Sequence, residues 1–180
     1  MGEWPCSLMG VFGGVHLGEM YFAPTNDLRN SVILLIMKLY LDNCCFNRPF
    51  DDQSQLRIHL EAEAKMRVQE YVRNGTIALA WSYVLVYENG QNPFDERRNA
   101  IEQWRSIAED DLVETDEIIQ KAEALTKIGL KSKDALHIAC AVTAECDYFL
   151  TTDDRVLNKA HLVTDVTIID PIGFIKEYEQ

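Results

Sequence analysis

Four carboxylates stand where the sequence pattern changes from one predicted element to the next, at a strand end or a helix start. They are Asp42, Glu88, Asp134 and Asp153. In an open α/β sheet, the carboxyl ends of parallel strands and the helix starts beside them converge on one crevice. Acids brought that close repel each other, so such a cluster normally holds divalent cations. The pattern therefore predicts metal-dependent chemistry on a phosphate.

Short apolar runs alternate with segments of helical periodicity along the chain. The runs that predict strands are Val32–Asp42, Thr76–Trp81, Leu112–Val113, Tyr148–Thr151 and Val166–Ile169. Strands that alternate with helices indicate a parallel sheet covered by helices on both faces. The predicted fold class is therefore α/β, a three-layer α/β/α domain with a mainly parallel sheet of about five strands.

The helical segments between these runs carry recognisable start and stop signals. Ser82, Thr115 and Ser132 are predicted N-caps, and Pro171 opens a short terminal helix. One helix is predicted to bury an apolar face made of Leu56, Leu60, Ala64, Val68 and Tyr71, and Asn74-Gly75 ends it. Another is predicted over Asp95–Ala108, with Ile101, Trp104 and Ile107 toward the core.

The order of these motifs resembles that of the PIN-domain nucleases, a family that includes the ribonuclease toxins of bacterial and archaeal toxin–antitoxin pairs. The matching pieces are Leu39-Tyr40-Leu41-Asp42, Ser82 followed by Glu88, Asp134-Ala135-Leu136-His137-Ile138-Ala139, and Phe149-Leu150-Thr151-Thr152-Asp153. The resemblance covers about residues 37–175. It implies a metal-dependent endoribonuclease in which Asp42, Glu88, Asp134 and Asp153 are the catalytic metal ligands.

Hydrolysis of a phosphodiester needs an attacking hydroxide and relief of charge on the leaving oxygen, and two Mg²⁺ or Mn²⁺ ions can supply both. Asp42, which ends the predicted central strand, is best placed to bridge two ions. The candidate supporting residues are Asn43, Thr151, Thr152 and Asp154, and the candidate phosphate contacts are Arg48, Arg57 and Lys65. Hard oxygen ligands favour Mg²⁺ or Mn²⁺ over zinc.

Two positions depart from the pattern of the family. Asn43 stands where a small hydroxyl residue often follows the first acid, and Arg155 stands where a further acid often occurs. Two alternatives to the toxin therefore remain open. One is a PIN-like binding or regulatory module with weak catalysis, and the other is a nuclease of RNA processing or DNA structure without an antitoxin. For His137, a histidine satisfied by a carboxylate is favoured over a general base.

The net charge of −12 disfavours a surface that grips RNA through bulk electrostatics. The resemblance implies an antitoxin as partner, and the same charge predicts that this partner is a small basic protein. We further expect a homodimer. Five cysteines with no C-x-x-C pair indicate reduced thiols in a cytoplasmic protein. The longest apolar stretch, Val32–Met37, is too short for a membrane helix. Residues 1–36 predict an irregular N-terminal extension, or a segment not native to the domain, before a PIN-like domain over 37–180.

Overall fold

Five parallel strands form a single sheet in the computed structural model, which describes residues 36–180. The strands are β1 Lys38–Leu41, β2 Ala78–Ser82, β3 Asp110–Leu112, β4 Tyr148–Leu150 and β5 Thr167–Ile169. Their order across the sheet is β3-β2-β1-β4-β5, and every neighbouring pair is parallel. Tyr40 pairs with Ala80 of β2 on one side and with Phe149 of β4 on the other.

Eight α-helices connect and flank the strands of the described chain. They are α1 Asn43–Asn47, α2 Leu56–Arg73, α3 Tyr83–Gly90, α4 Asp95–Glu102, α5 Asp116–Lys127, α6 Ser132–Thr143, α7 Asp154–Leu157 and α8 Pro171–Tyr178. Short 3₁₀ helices occupy Arg48–Phe50, Gln103–Ile107 and Ala160–Leu162. In this part of the chain no helix is both long enough and apolar enough to cross a membrane.

The strand order fixes the layers. The chain moves from β1 through β2 to β3 in one direction, and then returns past β1 to β4 and β5. Since parallel crossovers are right-handed, the helices of the two halves cover opposite faces of the sheet. Helix α2 packs against α8, and α5 packs against α6. The predicted three-layer α/β/α fold with a parallel sheet of five strands is confirmed.

The reversal of strand order occurs at β1, which makes its carboxyl end the switch point of the sheet. Asp42 follows β1 directly, and its backbone N–H donates to the carbonyl of Leu150 at the end of β4. Ligands of open α/β sheets bind in the crevice outside such a reversal. The topology therefore places Asp42 where a ligand site is expected.

Some predicted boundaries were wrong. The first strand begins at Lys38, inside the predicted run Val32–Asp42 and one residue into the predicted PIN-like domain. Residues 32–35 lie outside the described part of the chain, as does the predicted N-terminal extension except for Ile36. The helix from Asp95 ends at Glu102 and continues as a 3₁₀ helix. This change of period turns Ile107 outward, and it is 47% exposed. The residue before α6 is Lys131, so Ser132 is its first residue and not its cap.

The predicted apolar face of α2 was also largely wrong. Leu56 and Leu60 are exposed, while the buried positions of the helix are Glu61, Ala62, Lys65, Val68, Gln69 and Val72. Glu61 can be buried because two cations pair with it, Arg48 at 2.9 Å and Arg57 at 2.7 Å. Charged side chains that are paired are tolerated inside, so the pattern of apolar residues alone pointed to the wrong face.

Lys65 is only 4% exposed, and its Nζ lies 5.6 Å from the centre of the Phe46 ring and 5.9 Å from that of Trp104. Burial lowers the pKa of Lys65 from 10.5 to about 7. Between these two values the unfolded chain binds more protons than the folded chain, so the stability rises with pH. We expect the free energy of unfolding to rise by about 2 kcal/mol from about pH 7 to about pH 9 through this group.

Urea denaturation of the parent and of Lys65→Met at both pH values tests this expectation. The free energy of unfolding of Lys65→Met should not show this rise of about 2 kcal/mol, and the variant should be more stable than the parent at neutral pH. Lys127→Met removes an exposed lysine and should follow the parent. Parallel pH profiles for the parent and Lys65→Met would contradict the lowered pKa.

Candidate metal centre

Each of the four predicted acids is delivered to the same edge of the sheet by a different element. Asp42 follows β1 and precedes α1, and Asp153 follows β4 and caps α7 through its bond from the Arg155 N–H at 2.7 Å. Glu88 lies on α3, whose start is capped by Ser82 through a bond from the Leu85 N–H. Asp134 lies in the first turn of α6. Two strand ends position Asp42 and Asp153, and two helices position Glu88 and Asp134.

Asp42 is buried and is held by two hydrogen bonds to a single oxygen. The Thr151 hydroxyl donates to Asp42 Oδ2 at 2.7 Å, and the Cys44 thiol donates to the same oxygen at 3.1 Å. Thr151 in turn accepts a bond from the Asp153 N–H at 3.1 Å, which ties the ends of β1 and β4 together. The other oxygen, Oδ1, accepts no hydrogen bond from a described residue and lies 3.9 Å from His137 Nε2. Asp42 therefore has a fixed orientation and one oxygen that is free for a ligand.

Glu88 is oriented by a chain of polar groups that crosses the core. Its Oε2 lies 2.9 Å from His137 Nε2, and His137 Nδ1 lies 2.7 Å from the Tyr40 hydroxyl. That hydroxyl lies 2.6 Å from Ser82 Oγ. One proton arrangement satisfies the chain: Ser82 donates to Tyr40, Tyr40 to His137 Nδ1, and His137 Nε2–H to Glu88. His137 is thus satisfied by a carboxylate, the arrangement that the sequence favoured over a general base.

His137 and Lys133 also stabilise the ionised form of Glu88. Burial favours its neutral form, but the hydrogen bond from His137 and the Lys133 ammonium at 3.0 Å outweigh that effect and lower the pKa of Glu88 to about 2. Glu88 is therefore ionised at neutral pH. Its charge is already partly balanced by the protein.

Asp134 is in the opposite situation. Burial raises its pKa, and the negative charges of Asp42 and Asp153 raise it further, while Lys131 and His137 act in the other direction and are outweighed. Asp134 forms neither a hydrogen bond through its side chain nor an ion pair with any described residue. Burial and the two neighbouring carboxylates thus both disfavour a negative charge on Asp134.

The donor set fits a hard divalent cation. One ligand atom from each of Asp42, Glu88 and His137 lies within 4.8 Å of the others in the described part of the chain. Because Tyr40 and Glu88 already engage the two ring nitrogens of His137, the two carboxylates are the available ligands of this group. Asp134 and Asp153 lie outside this tight group but close enough for their charges to interact. A cation would balance the charge that raises the pKa of Asp134, and the carboxylate oxygens are the donors that Mg²⁺ and Mn²⁺ prefer. That the four acids ligate such an ion stays a prediction.

The candidate supporting residues are placed differently from one another. Thr151 contacts Asp42 directly, whereas Thr152 reaches the site only through its N–H, which donates to Cys44 Sγ at 3.3 Å. Asn43 begins α1 and lies within reach of Asn47. Asp154 is exposed and forms a bidentate pair with Arg57, so its charge is already used. Their roles in catalysis stay predictions.

The three candidate phosphate contacts have other neighbours in the structure. Arg48 pairs with Asp51 at 3.0 Å and with Glu61, and Arg57 pairs with Glu61 and Asp154. Lys65 is buried between aromatic rings. A phosphate contact by any of them would require these arrangements to change, and it stays a prediction.

The sequence did not identify the chain Ser82–Tyr40–His137 or the contact of Cys44 with Asp42. Tyr40 looks like a core residue of a buried strand, and no local signal marks its hydroxyl as a partner of a histidine 97 positions later. The sequence predicts Ser82 as a helix cap, and this role gives no sign of its second contact, with the Tyr40 hydroxyl. The position of Cys44 two residues after Asp42 was the only local hint.

Comparisons with known proteins bear on the fold. No protein-family model and no curated protein sequence matches the chain. Among solved structures, VapBC-1 from nontypeable Haemophilus influenzae is similar over 75% of this chain and 98% of that chain, with a TM-score of 0.50 and 18% identity.

A second solved structure is that of VapBC2 from Rickettsia felis bound to a DNA fragment from the VapBC2 promoter. It is similar over 74% of this chain and 98% of that chain, with a TM-score of 0.49 and 11% identity. At such identities a likeness concerns the fold alone, and here it rests on the Haemophilus structure. The chain has the fold found in VapBC-1, and its resemblance to the PIN-domain nucleases is confirmed at the level of the fold.

Proposed function

We propose that this chain is a metal-dependent endoribonuclease that hydrolyses RNA phosphodiester bonds and acts as the toxin of a toxin–antitoxin pair. The observation that carries the proposal is the grouping of Asp42, Glu88, Asp134 and Asp153 at the edge of the sheet where the strand order reverses. Asp134 forms no ion pair with a described residue, and Asp42 keeps one oxygen without a hydrogen bond from a described residue, so acceptor oxygens at this ligand-binding edge are available to a cation.

The protein residues would act as a preorganised cage. Asp42, Glu88, Asp134 and Asp153 would hold one or two Mg²⁺ or Mn²⁺ ions. When bound, such ions stabilise negative charge on the phosphate and lower the pKa of water. Thr151 and Cys44 donate to Oδ2 of Asp42, which fixes this carboxylate and leaves its Oδ1 available to a cation. His137 orients Glu88. Because these groups are fixed before the substrate arrives, little reorganisation is needed during the reaction.

A partner should supply positive charge. An acidic crevice on a chain of net charge −12 attracts a basic segment, and an arginine between the carboxylates could take the place of the cation. The Haemophilus VapBC-1 structure contains the fold of this chain, which supports an antitoxin as that partner. We further propose that the protein is a homodimer and that it cleaves RNA in the cytoplasm.

One observation favours a second candidate, a PIN-like binding module with weak catalysis. Lys133 and His137 already balance Glu88, which leaves that carboxylate less available to a cation. In this alternative the cluster binds a basic segment of a partner and cleaves nothing.

Cleavage of labelled single-stranded RNA by the purified full chain tests the proposal. We expect cleavage with Mn²⁺ or Mg²⁺ and none with EDTA, and little cleavage of single-stranded DNA of the same sequence. Cleavage of DNA but not RNA would favour a DNA-structure nuclease. Absence of cleavage of either substrate with both ions, from a protein that melts cooperatively, would overturn the nuclease and leave the binding module.

A further inference from the structure

Beside the acidic crevice, an arginine lies against two exposed aromatic rings. The guanidinium carbon of Arg97, on α4, lies 4.4 Å from the centre of the Phe94 ring and 5.4 Å from that of Phe50. Phe94 is 56% exposed and Phe50 is 37% exposed. We call these three residues the Phe50–Phe94–Arg97 platform. Large aromatic residues that stay this exposed next to a cation are typical of a surface that receives a ligand.

Arg97 differs from the neighbouring arginines in having no acidic partner. Arg48 pairs with Asp51, and Arg98 pairs with Asp95 at 2.6 Å. Arg97 forms no ion pair with any residue in the range 36–180. Asp51 and Asp95 are thus engaged by other arginines, and the charge of Arg97 remains available to an anion.

The platform is continuous with the candidate metal centre. The residues that line a groove of about 330 Å³ include Glu88 and Asn43 as well as Phe94 and Arg97. Phe94 and Arg97 also border a second hollow of about 520 Å³, which Phe50 and Pro93 help to form. A strand that leaves the acidic edge along this groove would therefore meet Phe94 and Arg97 next.

The loop that carries Phe94 is fixed by hydrogen bonds. Asn92 Nδ2 donates to Asn47 Oδ1 at 3.0 Å, and Asn92 Oδ1 accepts from the Phe94 N–H at 3.1 Å. Arg98 donates to the Asn92 carbonyl at 2.7 Å. Since the ring is held in place before any ligand binds, little entropy is lost when a planar group stacks on it.

We propose that the Phe50–Phe94–Arg97 platform binds single-stranded RNA next to the cleavage site, with one base stacked on Phe94 and one phosphate held by Arg97. This inference rests on the proposed nuclease function and adds the residues that hold an unpaired strand beside that site. Proteins that track single strands combine aromatic stacking surfaces with cations along the backbone. A duplex would hide its bases, so the exposed ring selects an unpaired strand.

Binding of a labelled, uncleavable 2′-O-methyl RNA single strand tests the platform separately from catalysis. Fluorescence anisotropy in Ca²⁺ would compare the full chain with Phe94→Ala, Arg97→Ala, Arg97→Lys and Arg67→Ala. Arg67→Ala is the matched control, because Arg67 also stacks on an aromatic ring, that of Tyr71 at 4.8 Å, but belongs to the α2–α8 side of the molecule. Melting temperatures of all variants verify that each is folded.

We expect Phe94→Ala and Arg97→Ala to bind about tenfold more weakly or worse, the range for a lost base stack or phosphate contact, and Arg67→Ala to bind within about twofold of the parent. Arg97→Ala should also reduce the slope of log Kd against log salt by about 0.7, the value for one phosphate of a single strand. Arg97→Lys should restore that slope but not the full affinity, since it lacks the planar group that stacks. Phe94→Ala should leave the slope unchanged.

Unaltered binding by the folded Phe94→Ala and Arg97→Ala proteins would overturn the platform, as would failure of the parent to bind the strand. The cleavage assay separates this result from failure of the proposed function. If the parent cleaves RNA and the platform variants bind normally, the nuclease function stands and the platform is wrong. If the parent binds RNA through the platform but cleaves nothing, the platform stands and the nuclease function is wrong.

Discussion

Replacement of Asp42 by Asn is expected to lower kcat/KM for RNA cleavage in Mn²⁺ on the order of 10²–10³-fold, the range for loss of one preorganised charged group at a reacting centre. The substitution keeps the size of the side chain and one oxygen to accept the bond from Thr151, so the fold should survive. It removes the charge needed to hold a cation. Asp134→Asn should have a comparable effect.

Glu88→Gln should cost less than either substitution, because Lys133 and His137 already share the charge of Glu88. The matched control is Asp165→Asn, an exposed acid just before β5 and therefore at the opposite edge of the sheet. It should cleave like the parent. If Asp42→Asn cleaves as fast as the parent and Asp165→Asn, the acidic edge is not the active site, and the binding module becomes the better account.

The fold could be predicted largely because its signals are local. Thr115 and Ser82 cap helices through their own side chains, and Gly75 and Gly129 end helices with positive φ values of 69° and 92°. Such signals depend on neighbours within a few residues, and the alternation of strands and helices then restricts the topology to a parallel sheet.

The errors occurred where distant contacts override local patterns. The buried face of α2 contains Glu61 and Lys65, because Arg48 and Arg57 reach Glu61 and because two aromatic rings accommodate Lys65. Neither partner is visible from the helical period. Ile107 is exposed because the chain tightens into a 3₁₀ helix after Glu102, and no residue type marks that change.

The candidate site shows the same division. The positions of Asp42 and Asp153 at strand ends follow from pattern, because strand ends are local features. The contact of Tyr40 with both Ser82 and His137 joins three elements and depends on the register of the sheet. Sequence periodicity cannot supply that register, so the support of the site became visible only in three dimensions.

Divalent metal is expected to raise the melting temperature. Mn²⁺ at about a hundred times its dissociation constant adds about 2.7 kcal/mol if the unfolded chain binds none. For a domain of this size that corresponds to a rise of about 5–10 °C. Ca²⁺ should also stabilise the protein, because it satisfies the same carboxylates, but without supporting cleavage. Thermal denaturation across a Mn²⁺ titration, with Asp165→Asn as the control, measures the shift.

The metal-free protein offers a sharper version of the same test, because the raised pKa of Asp134 has a definite sign. A carboxyl group with a higher pKa in the folded than in the unfolded state stabilises the fold when protonated, and this contribution is lost as the pH rises through the folded pKa. Without metal at neutral pH, Asp134→Asn should therefore melt above the parent, since it removes a charge that burial, Asp42 and Asp153 disfavour. With Mn²⁺ the order should reverse, because the parent gains a ligand that the variant lacks. A crossing of the two melting curves would assign Asp134 to the metal site, whereas a constant difference, or a parent whose melting temperature ignores Mn²⁺ into the millimolar range, would show that these acids do not hold a cation.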